Sequence, residues 1–215
     1  MADPIRRTPL HRMRARLEAA REAPGAIRLA EVPWLTQLTL RLAPGGDAAS
    51  AAAAVLGTRL PAPGAAHSSA EIDVLWLGPD EWLVVAGDGE GDRVAQRLAA
   101  AVADAHASIV DLSAQRTVIE LAGAAARDVL AKGCRLDLHP RAFAAGSCAS
   151  TELARAGVIL HQRSDEPLYR VFVRATFAEY LAEWLLDASA EYRGVPPLDL
   201  RFATIAELER PTLAS

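Results

Sequence analysis

The chain has 215 residues, of which 51% are apolar and 23% charged, and its formal net charge is −4. This composition predicts one large domain or two small, closely packed ones, because a chain of this length can bury a substantial core. No run approaches the roughly 18 uninterrupted apolar residues of a membrane-spanning helix, and no apolar signal-peptide core follows the N-terminal arginines. We therefore expect a cytoplasmic protein without a membrane segment.

The first 30 residues form an arginine-rich arm. Seven arginines stand there against three acidic residues, which leaves 16 basic and 24 acidic residues, a net charge of −8, in the rest of the chain. Such an arm can be a solvated helix face, a nucleic-acid contact or a strap across an acidic partner. Nucleic acid is disfavoured because the body is acidic and Lys132 is the only lysine. Arg12 and Arg16 are the candidate subunit contacts of this arm.

An amphipathic helix is predicted over residues 9–22, where apolar residues recur at helical spacing before Pro24. Alternation of apolar and polar residues predicts a half-buried strand over 34–42. An alanine-rich helix over 47–56 should follow, closed by Gly57 in a left-handed conformation.

The next part of the first half is predicted to contain a surface loop over 61–70, a hairpin over 72–86 that turns at Gly78-Pro79-Asp80-Glu81, and a helix over 92–104. Residues 87–92 have the alternating glycines of a glycine-rich phosphate loop. Their three acidic side chains would repel phosphate, so this segment is interpreted as a flexible turn.

The second half begins with predicted strands, and a helix over 124–132 is expected to end at Gly133 as a left-handed terminator. Thr176-Phe177-Ala178-Glu179 has the pattern of a capping box at the start of the last helix. That helix is predicted to bury a stripe made of Phe177, Tyr180, Leu181, Trp184 and Leu185. The strands are predicted over residues 108–112, 117–121, 147–154, 157–161 and 168–174.

The two halves show nearly the same order of elements, with one strand added in the second. We therefore predict an α+β fold of two closely packed β-α-β-β-α-type halves, with mixed or antiparallel sheets that carry helices on one side. The predicted boundaries are an arm of residues 1–30, halves of residues 31–107 and 108–194, and a C-terminal tail of residues 195–215.

Candidate reactive groups are few. Cys134 and Cys148 lie in no CxxC pair and no Cys/His cluster, so we predict no metal site and expect both to be small buried residues. A nucleophilic role for Cys148, which follows Ser147, is disfavoured because the sequence offers no base to activate it. Asp137 and His139 share one face of an extended segment, but no nucleophile or ligand joins them. We expect these two residues to fix the turn before Pro140 or to contact another subunit.

Two stretches carry a family resemblance. The first is Trp76-Leu77-Gly78-Pro79-Asp80-Glu81-Trp82-Leu83, and the second runs from Asp111 through Leu130-Ala131-Lys132-Gly133-Cys134 to Asp137-Leu138-His139-Pro140. In this order they resemble the gamma subunit of heterotetrameric sarcosine oxidase. The similarity covers residues 30–190. Because that family is related to the folate-binding aminomethyltransferase of the glycine cleavage system, the resemblance implies an aminomethyltransferase-like fold.

The resemblance also implies a function. It implies a non-catalytic subunit of an oxidase that demethylates sarcosine to glycine, reduces oxygen to peroxide and passes the methyl carbon to tetrahydrofolate. The implied partners are the alpha, beta and delta subunits, with this chain packed on the alpha subunit. FAD, FMN and NAD are expected in those partners, and no catalytic, cofactor-binding or metal-binding residue is expected in this chain.

The residues leave two alternatives open, a free-standing folate-binding or aminomethyltransferase-like protein and a scaffold of another oxidoreductase complex. The related aminomethyltransferase carries a Gly-Gly-x-x-Asp-Asp stretch whose acid assists folate chemistry, whereas the loosely matching residues 156–161 contain no carboxylate. His161 is the proton-holding group left there, and a single histidine at a strand end is more typical of a structural residue.

Overall fold

Two five-stranded antiparallel sheets form the centre of the computed structural model, which describes residues 6–194. The strands are β1 (Arg28–Val32), β2 (Thr36–Leu42), β3 (Ala66–Ser68), β4 (Asp73–Gly78), β5 (Glu81–Ala86), β6 (Ala107–Asp111), β7 (Arg116–Ala122), β8 (Cys148–Leu153), β9 (Ala156–Ser164) and β10 (Leu168–Arg174). The α-helices are α1 (Arg14–Glu22), α2 (Gly46–Leu56), α3 (Gly91–Ala101), α4 (Ala126–Ala131) and α5 (Ala178–Ala188). Short 3-10 turns lie at His11–Met13, Ala175–Phe177 and Ala190–Tyr192.

Both sheets have the same topology, with strand order β3-β4-β5-β2-β6 in the first and β8-β9-β10-β7-β1 in the second. In each half a strand and a helix lead into a three-stranded meander, whose last strand pairs with the first strand of that half. The α+β prediction of two matched halves is confirmed. The short β3 lies inside the segment that was predicted as a loop over 61–70.

The predicted half boundaries need correction at the fifth strand of each sheet. β6 extends the first sheet beyond residue 107, whereas β1 precedes the first half and pairs with β7 of the second. The arm of residues 1–30 thus includes part of a sheet strand. The physical reason is that an edge strand exposes a row of unpaired backbone groups. β6 pairs with these groups on β2, and β1 pairs with those on β7.

The layers are helix, sheet, sheet, helix. α2 and α3 cover the outer face of the first sheet, and α1, α4 and α5 cover that of the second. The inner faces of the two sheets pack against each other through apolar side chains. This inner cluster contains Ala66, Leu75, Leu83, Val85, Val118, Cys148, Ile159 and Phe172.

Packing of sheet on sheet changes the character of β2. The sequence predicts a half-buried strand, yet Gln37 and Thr39 are only 1% and 6% exposed on the supposedly open face. The second sheet covers that face, which alternation within one strand cannot reveal. The prediction of a half-buried strand is therefore wrong here.

The interface between the sheets is closed on one side and open on the other. At the closed side the amide of Ala66 donates to the backbone oxygen of Gly146 at 2.7 Å. The amide of Cys148 donates to the backbone oxygen of Gly64 at 2.9 Å. These bonds join the edges of β3 and β8. At the other side Val110 of β6, which pairs with Thr39, is 48% exposed.

The two glycines that follow the first helix of each half have different roles. Gly57 adopts a φ of 67° after α2, as predicted for a left-handed terminator. Gly133 does not have a positive φ, so the left-handed role predicted for it is wrong. A Cβ atom at Gly133 would lie 2.7 Å from Cζ2 and Cη2 of Trp184. This glycine permits the close approach of a ring on α5.

The start of α5 also differs from the prediction. No side chain caps its first turn, and the amide of Ala178 donates to the oxygen of Ala175 within a 3-10 turn. The predicted capping box at Thr176 does not form because this turn already supplies a backbone partner. Of the predicted stripe, Leu181 and Leu185 are buried, whereas Phe177 and Tyr180 are exposed.

Candidate functional site

The N-terminal helix docks on its own chain. Leu10, Met13 and Leu17 are at most 5% exposed and belong to the core of the second half, together with residues of α4 and α5. The opposite side of this segment carries exposed arginines, which we call the arginine face. The arginine face consists of Arg12, Arg14, Arg16 and Arg21.

Only some arginines of the arginine face form ion pairs with other residues among those described. Arg14 pairs with Glu18 at 2.8 Å, and Arg16 pairs with Glu183 of α5 at 3.1 Å. Arg12 forms no salt bridge within residues 6–194. Exposed pairs of this kind contribute about 0–1 kcal/mol, so Arg12 and Arg16 remain available to a partner. Their role as subunit contacts stays a prediction.

Asp137 and His139 organise the turn at Pro140. Oδ1 of Asp137 accepts from the amide of His139 at 2.9 Å, and Nδ1 of His139 accepts from the amide of Arg141 at 3.2 Å. Both side chains thus serve backbone donors, which matches the expectation that they fix this turn. Contact with another subunit stays a prediction. No hydrogen bond within residues 6–194 links this pair to Arg12 or Arg16.

Neither Cys148 nor His161 is poised for proton transfer. Burial raises the pKa of the Cys148 thiol to about 11, and its Sγ lies 3.0 Å from the oxygen of Ala65. Burial lowers the pKa of His161 to about 4. The negative charge of Asp73 raises this pKa, and the positive charge of Arg163 lowers it further. At neutral pH the first is a thiol and the second a neutral imidazole, and both lie between the sheets.

A group of charged residues between the sheets was not anticipated from the sequence. Asp73 of β4 pairs with Arg163 at 3.1 Å and with Arg170 at 3.2 Å, and Arg170 also pairs with Glu120 at 3.2 Å. We call these four residues the ion cluster. Ser68 donates to Asp73 at 2.6 Å. The one available signal was the presence of Asp73 and Arg170 within otherwise apolar strands.

A cavity of about 720 Å³ opens beside Trp34, at the open side of the sheet interface. We call it the Trp34 cavity. The guanidinium of Arg6 lies 4.1 Å from the centre of the Trp34 ring and pairs with Asp88 at 2.8 Å. Gln37 and Arg116 also line the cavity. A second cavity of about 510 Å³ shares Arg6 and Trp34 with the first and extends toward α1.

Two classes of site can be assessed for the described part of the chain. Within residues 6–194, no group of three or more His, Cys, Asp or Glu side chains is arranged to hold a metal ion. None of the helices in that range has both the length and the apolar character needed to cross a membrane.

Comparison with known proteins gives consistent matches over most of the chain. Residues 43–191 match the model of the family described as "Sarcosine oxidase, gamma subunit family". Sarcosine oxidase subunit gamma of Corynebacterium sp. (strain P-1) is 40% identical over 194 residues, covering 89% of this chain and 94% of that protein. The subunit of the same name from Arthrobacter sp. is 41% identical over 193 residues, covering 87% and 92%.

Solved structures give the same result. A chain of the heterotetrameric sarcosine oxidase from Corynebacterium sp. U-96, in complex with pyrrole 2-carboxylate, matches with a TM-score of 0.80 and 39% identity over 89% of this chain and 97% of that chain. The glycine cleavage system aminomethyltransferase T from Bartonella henselae matches with a TM-score of 0.64 and 14% identity, covering 83% and 56%, which shows a shared fold. The predicted resemblance is confirmed, and this chain belongs to the sarcosine oxidase gamma subunit family.

Proposed function

We propose that this chain is the non-catalytic gamma subunit of a heterotetrameric sarcosine oxidase and that it packs on the alpha subunit. The observation that carries the proposal is the identity of about 40% to gamma subunits over nearly the whole length of both proteins. The matches cover 94% and 92% of the two relatives, so they support a role for this chain as a whole gamma subunit.

The assembly proposed here contains alpha, beta and delta subunits beside this chain and is cytoplasmic. It oxidises sarcosine to glycine and delivers the one-carbon unit to tetrahydrofolate. FAD, FMN and NAD belong to the partner subunits. Every strand pair described in this chain is antiparallel, whereas the dinucleotide-binding βαβ unit needs parallel strands, so the residues present do not fit an FAD or NAD site of that type.

The chemistry of the reactive side chains supports a structural role. The thiol of Cys148 and the imidazole of His161 are buried between the sheets, and burial holds both in their neutral forms at neutral pH. Asp137 and His139 accept hydrogen bonds from backbone amides within one turn. These groups stabilise the subunit, and the electron transfer of the reaction takes place in its partners.

The surface proposed to meet a partner lies on the second half. The arginine face supplies charge, and Phe177 and Tyr180, 46% and 47% exposed, supply aromatic area at the start of α5. Arg16 and Glu183 connect α1 with α5, so both features belong to neighbouring elements. Basic side chains beside exposed aromatic residues suit an acidic partner surface with an apolar centre.

Co-expression of this chain with a tagged alpha subunit of the same oxidase tests the proposal. We expect the two chains to copurify at a fixed stoichiometry and to dissociate more readily at high salt. The isolated chain should lack visible flavin absorption and should produce no peroxide from sarcosine. Isolated chain that oxidises sarcosine, or that does not copurify with the alpha subunit, would contradict the proposal.

A folate-binding function is the second candidate, and the aminomethyltransferase fold is the observation that favours it. It requires a group on this chain that handles a proton of the folate, and His161 is buried and neutral between the sheets. Calorimetry with tetrahydrofolate on the isolated chain separates the two functions. Micromolar binding would favour the folate protein, and absence of binding would leave folate to the partner subunits.

A further inference from the structure

The turn between β8 and β9 has a backbone conformation that is unusual for its residues. Leu153 pairs directly with Ala156 across the two strands. The two residues between them, Ala154 and Arg155, have φ angles of 49° and 70°. A two-residue hairpin loop with two positive φ angles is a type I′ turn, which favours Asn-Gly or Asp-Gly because other side chains crowd the backbone there. An arginine thus stands where glycine would be free of strain.

Neighbouring elements hold this turn in place. The amide of Ala154 donates to the backbone oxygen of Gly133 at 3.1 Å. The hydroxyl of Tyr180 on α5 donates to the backbone oxygen of Ala154 at 2.6 Å. A backbone conformation that costs free energy persists only where surrounding contacts determine it. These two contacts therefore fix the backbone from which the side chain of Arg155 projects.

The guanidinium at this turn serves no acidic group of the described chain. Arg155 is exposed and forms no salt bridge within residues 6–194. Glu152 of the same hairpin pairs with Arg135 at 3.7 Å instead. Strain at a residue whose charge is not used within the fold indicates a role outside it.

Two exposed aromatic residues lie beside the turn. Tyr180 contacts it through the hydroxyl, and Phe177 precedes Tyr180 by one helical turn at the start of α5. Arginine and tyrosine are among the residues that most often dominate the binding energy of protein interfaces, where apolar neighbours exclude water from a charged contact. An arginine on a fixed turn beside aromatic area has the composition of an interface anchor.

We propose that Arg155 is an anchor of the subunit interface and pairs with a carboxylate of the alpha subunit, while Phe177 and Tyr180 shield that pair from water. A carboxylate is the protein group whose charge and planar shape match the guanidinium fork. This inference rests on the proposed function and adds to it the residue that recognises the partner. Because the turn is already fixed in the isolated chain, its backbone loses little conformational freedom on assembly.

Replacement by glycine separates a role in binding from a role in folding. Arg155→Gly removes the guanidinium and the strain together. It should lower the unfolding equilibrium constant of the isolated chain about fivefold, because glycine adopts a positive φ without steric cost. It should also raise the dissociation constant for the tagged alpha subunit about tenfold, because a charge-assisted hydrogen bond is lost. Denaturant unfolding and sedimentation measure the two effects. Weaker assembly of a more stable chain does not come from a damaged fold.

Ala154→Gly is the matched control, since it relieves a positive φ in the same turn and leaves Arg155 in place. It should also stabilise the isolated chain, and it should change the dissociation constant less than about twofold. The difference in assembly between wild type and Arg155→Gly should shrink at high salt.

The outcomes distinguish this inference from the proposed function. Equal dissociation constants for Arg155→Gly and Ala154→Gly, or a less stable Arg155→Gly chain, would overturn the inference alone. Wild type that does not bind the alpha subunit would contradict the proposed function, and the inference with it.

Discussion

The two halves of this chain follow one strand order and differ in what surrounds their sheets. The first sheet carries two helices, whereas the second carries three because the N-terminal α1 joins α4 and α5. The additional helix brings the arginine face to the second half. The two halves thus share a topology, and a segment from outside the repeat gives the second half the charged surface that we propose faces a partner.

The inner faces show a second difference. Asp73 and Gln37 lie in one row of the first sheet, on either side of Val85. Asp73 belongs to the ion cluster, in which every charged side chain is paired with one of opposite charge. Gln37 borders the Trp34 cavity, and its Oε1 has no hydrogen-bond partner among residues 6–194. The ion cluster joins the two sheets at one end of this row, and the Trp34 cavity lies at the other end.

The largest expected effect concerns the link between the halves. Asp73→Ala should lower the free energy of unfolding by about 3 kcal/mol or more, because it leaves arginine charge between the sheets without its main partner. Denaturant unfolding measures the change. Asp88→Ala, which removes an exposed pair with Arg6, is the control and should cost no more than about 1 kcal/mol. Equal losses in the two variants would show that the ion cluster does not join the sheets.

The next effect is a dependence of stability on pH. Because the pKa of His161 is lowered to about 4 in the folded state from 6.5, its contribution is present above pH 6.5 and is lost as the pH falls toward 4. Wild type should lose about 2–3 kcal/mol more than His161→Gln over that interval. Parallel stability curves for wild type and His161→Gln would contradict the assignment.

The paired glycines of the two halves give a smaller effect with two different causes. Gly133→Ala should cost about 1–3 kcal/mol because the new methyl group would overlap the ring of Trp184. Gly57→Ala should cost about 1 kcal/mol because of its positive φ alone. Gly157→Ala, with nothing within 4 Å of its Cβ position, is the neutral control. Relief of Gly133→Ala by Trp184→Leu, but no relief of Gly57→Ala, would establish the difference.

The smallest expected effect concerns the surface. Arg16→Glu should weaken assembly with the alpha subunit about tenfold at low salt and less at high salt. Arg41→Glu on the first half is closely matched, since each arginine has one acidic partner at 3.1 Å and is 58% or 53% exposed. Sedimentation of the assembled subunits measures both. If Arg41→Glu weakens assembly as much as Arg16→Glu does, the second half is not the partner-facing side.

Features that depend on one strand or helix were predictable. The strand Leu168–Arg174 and the end of α2 at Gly57 agree with the sequence pattern, because alternation and glycine chemistry act over a few neighbouring residues. The turn around Asp137 and His139 was predictable for the same reason. The family resemblance was visible because its motifs lie in continuous stretches.

Features that depend on two distant segments were not predictable. Asp73 and Arg170 are 97 positions apart, so no local pattern indicates their pairing. The burial of Gln37 needs the second sheet, and the role of Gly133 needs the ring of Trp184. The Trp34 cavity likewise arises only when the N-terminal segment meets the open side of the sheet interface.

The most direct test of the central claim compares sarcosine-dependent peroxide formation by three preparations: this chain alone, its three proposed partners together, and all four subunits. The account predicts that this chain alone forms no peroxide. It also predicts that the four-subunit assembly forms more peroxide, or keeps its activity longer, than the three partners without this chain. Peroxide formation by this chain alone would contradict the account. Three partners that assemble and react equally well without this chain would contradict it too.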